Sequence, residues 1–326
     1  MKKKRFESTE LFIKQRLQIM AMLLHTNFIS ISLFFFFLLS SIPILWPFWM
    51  LYDDSPENGY IRTQWLRRSR IWKWYCQYFP IKLHKTIDLP PDRTYIFGYH
   101  PHGVFSLGCF GAFATEGAGF STIFPGIKNF VLTLSSNFHI PFYREYIQAF
   151  GIRSVSKHSC EKILSKGPGH AITIVLGGAQ ESLAARPGVI KLTLKKRHGF
   201  IKMALKMGAN LVPVLAFGEN DIYNQIQSKP GSRLYKFQQI FKRITKFTIP
   251  IFYGRGALNY DIGFIPWRHP INCVVGNPIP VIKTDILSEE LINEIQNKYI
   301  SELKHIWETW KDTYALDRIC ELEIVD

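Results

Sequence analysis

The 326 residues suffice for two domains or one large α/β domain, and 47% hydrophobic content with 26 phenylalanines exceeds what a soluble core requires. A formal net charge of +15 points to acidic partners such as anionic lipid or a phosphorylated cofactor; without zinc-finger, aromatic RNA-binding or basic-zipper signatures, nucleic acid is a minor candidate. Five scattered cysteines (Cys76, Cys109, Cys160, Cys273, Cys320), odd in number and with no Cys-x-x-Cys pair, exclude a disulfide framework and point to reduced thiols in a cytosol-facing domain.

The first predicted element is apolar. No Asp, Glu, Lys or Arg occurs from Leu17 to Tyr52, and Phe28 to Trp49 is the densest part. About 20 apolar residues carry a helix across the hydrocarbon core, so the stretch suffices for one crossing. It is too long for a signal-peptide core and lacks a small-residue cleavage site. Trp46, Trp49 and Tyr52 suit the headgroup belt. Basic residues flank both ends (Lys2, Lys3, Lys4, Arg5, Lys14 and Arg16 before; Arg62, Arg67, Arg68, Arg70 and Lys73 after). That symmetry fits a hairpin with both ends cytosolic, turning near Ser40, Ser41 and Pro43. A single span or a re-entrant loop is the alternative, and a buried soluble helix is the bland reading. The expected division is a basic cytosolic N-terminus over 1–16, a membrane-embedded segment over 17–52 and a cytosol-facing α/β domain over 53–326.

A strand is expected over Thr94 to Tyr99, and His100-Pro101-His102-Gly103 follows it. Proline pushes the preceding residue into extended geometry, where side chains two apart point the same way, so both imidazoles are expected on one side. Gly103 lets a backbone or substrate approach closely. An imidazole there can remove a proton near neutral pH, as a general base must. The rival readings are a structural role and a metal site; the latter lacks further ligands at suitable spacing nearby. Val104 to Gly119 reads as a packed helix whose first amides would favour a neutral ring and stabilise developing negative charge.

Ala171 to Leu176 reads as a buried strand, ended by Gly177 and Gly178. The small residues turn the backbone sharply and present Glu181, a carboxylate to fix an imidazole tautomer and steady an imidazolium; a solvated turn is the alternative. Arg186, Lys191, Lys195, Lys196 and Arg197 follow, cations for the phosphates of coenzyme A or for a solvated or membrane-facing surface. Phe200, Met203, Ala204 and Met207 have helical spacing before Gly208, a C-terminal cap. Leu211 to Phe217 reads as a strand that Pro213 demotes toward an edge or bulge. Glu219 and Asp221 after it are weaker candidates for the same pocket. Cys273 to Gly276 is a further strand. Leu291, Ile295, Tyr299, Leu303, Ile306 and Trp310 form an apolar stripe behind Ser288 as N-cap, expected in the core. Strands alternating with helices predict a layered α/β fold. No Gly-x-Ser-x-Gly elbow, Walker A loop or dinucleotide fingerprint is present, which disfavours an acyl-serine hydrolase.

Gly98-Tyr99-His100-Pro101-His102-Gly103, Pro141-Phe142-Tyr143-Arg144-Glu145-Tyr146 and Gly177-Gly178-Ala179-Gln180-Glu181-Ser182-Leu183 occur in that order. Gly199-Phe200-Ile201-Lys202-Met203-Ala204, Val212-Pro213-Val214, Phe217-Gly218-Glu219-Asn220 and Val275-Gly276-Asn277-Pro278-Ile279-Pro280 complete the series. The ordered set resembles the type-2 diacylglycerol acyltransferase family, which includes monoacylglycerol and wax-alcohol acyltransferases. The resemblance implies a layered α/β, glycerolipid-acyltransferase-like domain with an N-terminal hydrophobic anchor. It further implies fatty acyl transfer from acyl-CoA to a lipid hydroxyl at the endoplasmic reticulum and lipid droplets, with His100 to Gly103 in the active site. The His-x-x-x-x-Asp pattern of related glycerol-phosphate acyltransferases is absent: Phe105 and Leu107 stand five residues beyond His100 and His102.

The expected mechanism is direct transfer without an acyl-enzyme. His102, or His100 in second place, is the base, Glu181 its partner, and Pro101, Gly103, Gly177 and Gly178 shape the motif and support the oxyanion. Acyl-CoA is the co-substrate, with no separate cofactor and no metal. Diacylglycerol is the expected acceptor, monoacylglycerol or a long-chain alcohol the near alternative. A non-catalytic membrane lipid-binding protein is the alternative from another class. The terminal Leu322 to Val325 reads as a weak hydrophobic-acidic retention signal.

Overall fold

The computed structural model describes residues 2–38, 52–58, 62–226, 231–245, 250–256 and 262–326. Its strands are β1 (Lys82–Lys85), β2 (Tyr95–His100), β3 (Lys128–Thr133), β4 (Arg153–Ser154), β5 (His170–Val175), β6 (Lys191–Thr193), β7 (Asn210–Phe217), β8 (Asn224–Gln225), β9 (Phe252–Tyr253), β10 (Asn272–Val275) and β11 (Glu323–Val325). The helices used below are α1 (Lys2–Thr26), α2 (Phe28–Leu38), α3 (Arg70–Tyr78), α4 (Leu107–Cys109), α5 (Gly178–Ala184), α6 (Gly199–Met207) and α7 (Glu289–Tyr314). The architecture is mixed α/β, and the described chain forms two compact units.

The first unit comprises Met1–Ile81, Pro90–Tyr95 and Phe110–Ile174. Its strands run parallel, β3 between β4 and β5. Ala21 and Met22 of α1 are fully buried, and the His25 ring stacks on Phe110 at 3.5 Å while its Nδ1 meets the Tyr146 hydroxyl at 3.0 Å. Among the described residues no single helix is long and apolar enough to cross a membrane. The segments Glu10–Thr26 and Phe28–Leu38 meet that length and composition only as a pair, bent by 62°. Phe34, Phe37 and Leu38 are exposed. The expected turn at Ser40, Ser41 and Pro43, with Trp46 and Trp49, lies outside the described residues.

The second unit comprises Lys82–Leu89, Ile96–Cys109 and Val175–Asp326. Its strands lie in the order β1-β10-β7-β2, with β1 parallel and β7 antiparallel to β10. Pro213 sits in an interior strand, all eight of whose residues are buried, so of the two expected places the edge is excluded and the bulge is found. The reason lies in the ladder. Pairing with β10 ends at Val214 opposite Val275 and resumes only at an isolated bridge between Leu211 and Ile279. Pro213 faces the extra residue of the opposite strand: its carbonyl accepts from the Gly276 amide at 2.9 Å, and its ring nitrogen has no N–H to return the bond, which a bulge tolerates.

Of the expected α7 stripe, Ile295, Tyr299, Leu303 and Ile306 are buried, whereas Leu291 and Trp310 at its ends are half-buried; Ile292 and Trp307 join the buried face instead. Ser288 caps α7 by accepting from the Leu291 amide, and Trp307 stacks on Phe217 of β7 with ring centroids 5.8 Å apart. Gly208 ends α6 in the left-handed region. The helix expected over Val104 to Gly119 is shorter: α4 starts only at Leu107 and continues as a π-helical turn over Phe110–Ala114. Gly103 and Ser106, both with positive φ, make the turn that delays it. β11 pairs in parallel with β6, so the terminal residues are part of a small sheet. None of the five cysteines forms a disulfide; four are buried and Cys320 is half-exposed.

Candidate active site

The second unit brings His100, His102 and Glu181 together. β2 ends at His100, the following peptide to Pro101 is cis, and the two rings find separate partners. Strand alternation stops at His100, so the argument that put both rings on one side does not extend to His102.

His100 is fully buried, and burial pulls its pKa down to about 3. Its Nε2 lies 3.0 Å from the Tyr299 hydroxyl, which donates to the Gly98 carbonyl at 3.2 Å. A phenol has one proton to give, so with both bonds made, His100 Nε2–H donates to Tyr299. Gly98 is required here because a Cβ at that position would collide with the Tyr299 hydroxyl. This is a histidine held inside the packing.

His102 is half-buried, and its Nδ1 lies 3.0 Å from the Gly103 carbonyl. A carbonyl only accepts, so Nδ1 carries the proton and Nε2 keeps a lone pair. Burial lowers the pKa from its ordinary value, against a smaller opposing effect of the Gly103 carbonyl, and so favours the neutral ring. A neutral ring with a bare Nε2 is what a general base needs.

Glu181 sits in the first turn of α5 and is buried. Its Oε2 accepts from the His102 amide at 2.8 Å and its Oε1 from the Thr193 amide at 2.6 Å. The expected carboxylate–imidazole bond is thus replaced by bonds to main chain: Glu181 reaches His102 through the backbone. The carboxyl folds back over Gly177, where any Cβ would collide with it. Burial raises its pKa to about 7 despite the two amides and nearby Arg197. Gly178 has a φ of +61° and opens the helix. Ser182 Oγ donates to the Val104 carbonyl at 3.1 Å and is itself buried, a structural role.

The helix expected to aim its amides at the imidazoles presents them elsewhere. The Gly108 amide donates to Glu219 Oε2 at 2.9 Å. Asp221 accepts from the Gly188 amide at 2.7 Å, which ties it to another loop.

The five basic candidates separate. Lys191 pairs with Glu323 at 2.5 Å and Lys196 with Asp326 at 3.0 Å, both supplied by the terminal segment. Arg186 and Lys195 are exposed. Arg197 is beside the site, with its Nη2 3.5 Å from the Gly177 carbonyl. Sequence reasoning missed Tyr99, Tyr299 and Thr193 as site-building residues. The signals were Gly98 inside a strand of large residues and the small-residue pair Gly103 and Gly108, each marking a close approach. Among the described residues no group of three or more His, Cys, Asp or Glu has metal-binding geometry.

The family model described as diacylglycerol acyltransferase matches residues 32–325. The diacylglycerol O-acyltransferase 1 of Schizosaccharomyces pombe is 49% identical, over 94% of this chain and 91% of its own. The diacylglycerol O-acyltransferase 2A of Umbelopsis ramanniana is also 49% identical, over 96% and 92%. The 2-acylglycerol O-acyltransferase 1 of Bos taurus is 44% identical, over 82% and 81%.

Proposed function

Because this chain belongs to the diacylglycerol acyltransferase family, we propose that it transfers a fatty acyl group from acyl-CoA to the free hydroxyl of diacylglycerol, yielding triacylglycerol and free coenzyme A. The observation that carries the mechanism is the 3.0 Å contact between His102 Nδ1 and the Gly103 carbonyl, which, because a carbonyl only accepts, assigns the proton to Nδ1. Its Nε2 takes the acceptor's hydroxyl proton as that oxygen attacks the thioester carbonyl. The new C–O bond forms a tetrahedral intermediate, the C–S bond then breaks, and the proton passes from the imidazolium to the departing thiolate. The oxyanion falls to amides of the Gly103 turn other than those of His102 and Gly108, which Glu181 and Glu219 already hold. Glu181 holds the His102 backbone in place, with Pro101, Gly177 and Gly178 shaping the turn around it. His100 serves as packing, not as the base.

Arg197, Arg186 and Lys195 are the cations left to meet the phosphates of coenzyme A; Lys191 and Lys196 already pair with the terminal carboxylates. The domain is of the glycerolipid-acyltransferase kind, residues 17–52 anchor it in the endoplasmic reticulum membrane with 53–326 facing the cytosol, and lipid droplets are a second location. An anchored enzyme meets its acceptor in the bilayer without extracting it into water. Monoacylglycerol is the second acceptor to consider, since relatives at 44% and 41% identity are named 2-acylglycerol O-acyltransferase 1.

The test supplies labelled oleoyl-CoA to membranes carrying the wild type or His102→Ala, with diacylglycerol, monoacylglycerol or a long-chain alcohol as acceptor. Labelled triacylglycerol should form and fall by at least about 10²-fold in the variant, the usual contribution of a positioned base. Near-wild-type turnover in folded His102→Ala removes His102 from the chemistry. Absence of any ester from folded wild type favours a lipid-binding protein.

A further inference from the structure

A second buried carboxyl group stands against the His-Pro-His-Gly turn and takes no part in the steps above. Glu219 follows β7 and Gly218, and its side chain is completely buried. Its Oε2 accepts from the Tyr99 hydroxyl at 2.6 Å and from the Gly108 amide at 2.9 Å. Its Oε1 is buried with no hydrogen-bond partner, and among the described residues no cation pairs with it.

Two glycines create the space this carboxyl fills. A Cβ on Gly103 would lie 2.8 Å from Glu219 Cγ and 3.2 Å from Oε1, and one on Gly108 would collide with Oε2. Gly103 has a φ of +60°, and Ser106, between the two glycines, has a φ of +54°. A serine in the left-handed region is uncommon and persists where the surroundings over-determine the backbone. Here the Ser106 hydroxyl donates to the His102 carbonyl at 2.7 Å from one side, and the Glu219 carboxyl bears on the turn from the other. The Gly103 carbonyl in this turn is the group that sets the His102 tautomer.

We propose that Glu219 is a positioning residue for His102: wedged between Gly103 and Gly108 and tied to Tyr99, it fixes the turn whose carbonyl keeps Nε2 of His102 bare. This rests on the reading of His102 as the base. The carboxyl works through its shape and through Oε2 as an acceptor for Tyr99 and Gly108, a role the oxygen of an amide can also fill. An amide of the same shape can therefore replace it, whereas a methyl group cannot.

The experiment uses the full chain in membranes with oleoyl-CoA and diacylglycerol. Glu219→Ala should lower kcat by about ten- to a hundredfold, the scale of an ångström-level misplacement, with the KM for oleoyl-CoA within about threefold. Glu219→Gln should recover most of that loss. The double variant His102→Ala/Glu219→Ala should be no slower than His102→Ala alone, because a positioning residue acts through its base. Unchanged kcat in Glu219→Ala, a Glu219→Gln variant as slow as Glu219→Ala, or fully additive losses in the double variant would each overturn the proposal. If Glu219→Ala does not fold, Tyr99→Phe removes the hydroxyl donor at almost constant volume. It should lower kcat several-fold with KM held, and an unchanged kcat overturns the proposal equally. An active His102→Ala variant defeats the base assignment itself. An inactive His102→Ala beside a full-speed Glu219→Ala defeats only the role of Glu219.

Discussion

Burial acts in opposite senses on the imidazole of His102 and the carboxyls of Glu181 and Glu219, because one is charged when protonated and the others when not. For His102 the lowered pKa has a direct kinetic consequence. A base must be unprotonated, so turnover is lost as pH falls through the pKa of His102, and the midpoint of that limb lies below the ordinary value of 6.5. The profile of kcat against pH, at saturating oleoyl-CoA, should be flat through neutrality and drop only on the acid side of 6.5. An acid limb whose midpoint stays above that value in Glu219→Gln as well would contradict the assigned base. The imidazole pair itself was legible in the sequence, but the division of labour between its members was not. It depends on Tyr299, 199 residues from His100 in the chain, and on the carbonyl of Gly103.

At the scale of elements, α7 connects the core to the site. Its apolar stripe faces inward, and Tyr299 in that stripe ends in the one polar atom that meets both His100 and Gly98. Tyr299→Phe leaves a buried ring N–H and a buried carbonyl without this partner, a loss of about 1–3 kcal/mol for each stranded group. Thermal unfolding should show a clearly lowered Tm, and an unchanged Tm would mean these groups find other partners. Periodicity foretold α7 and α6, and short apolar runs foretold β2, β5, β7 and β10, because burial on a helix face or in a strand leaves a local pattern. Pro213 allowed an edge or a bulge, and the bulge is what forms; the choice is made by the distant segment opposite it, from Gly276 to Ile279, and not by the proline. The position of Glu181 was likewise hidden, since its partners are main-chain amides, which every residue but proline offers.

For the whole molecule, the N-terminal helices are joined to the first unit and do not hang from it. Ala21 and Met22 are buried, and His25 is packed on Phe110 with Trp72 and Tyr75 at its edges. Deleting residues 1–52 should therefore expose an aromatic cluster and yield aggregated protein instead of a soluble enzyme. Size-exclusion chromatography of the 53–326 fragment reads this out, and a monodisperse, active fragment would refute it. The distribution of thiols has a practical consequence. With four sulfurs buried and Cys320 half-exposed, three residues before β11, a maleimide dye should label the native protein at a single position. Its fluorescence would then report whether the terminal strand stays zipped to β6, and so to the Thr193 amide that holds Glu181, while the enzyme turns over.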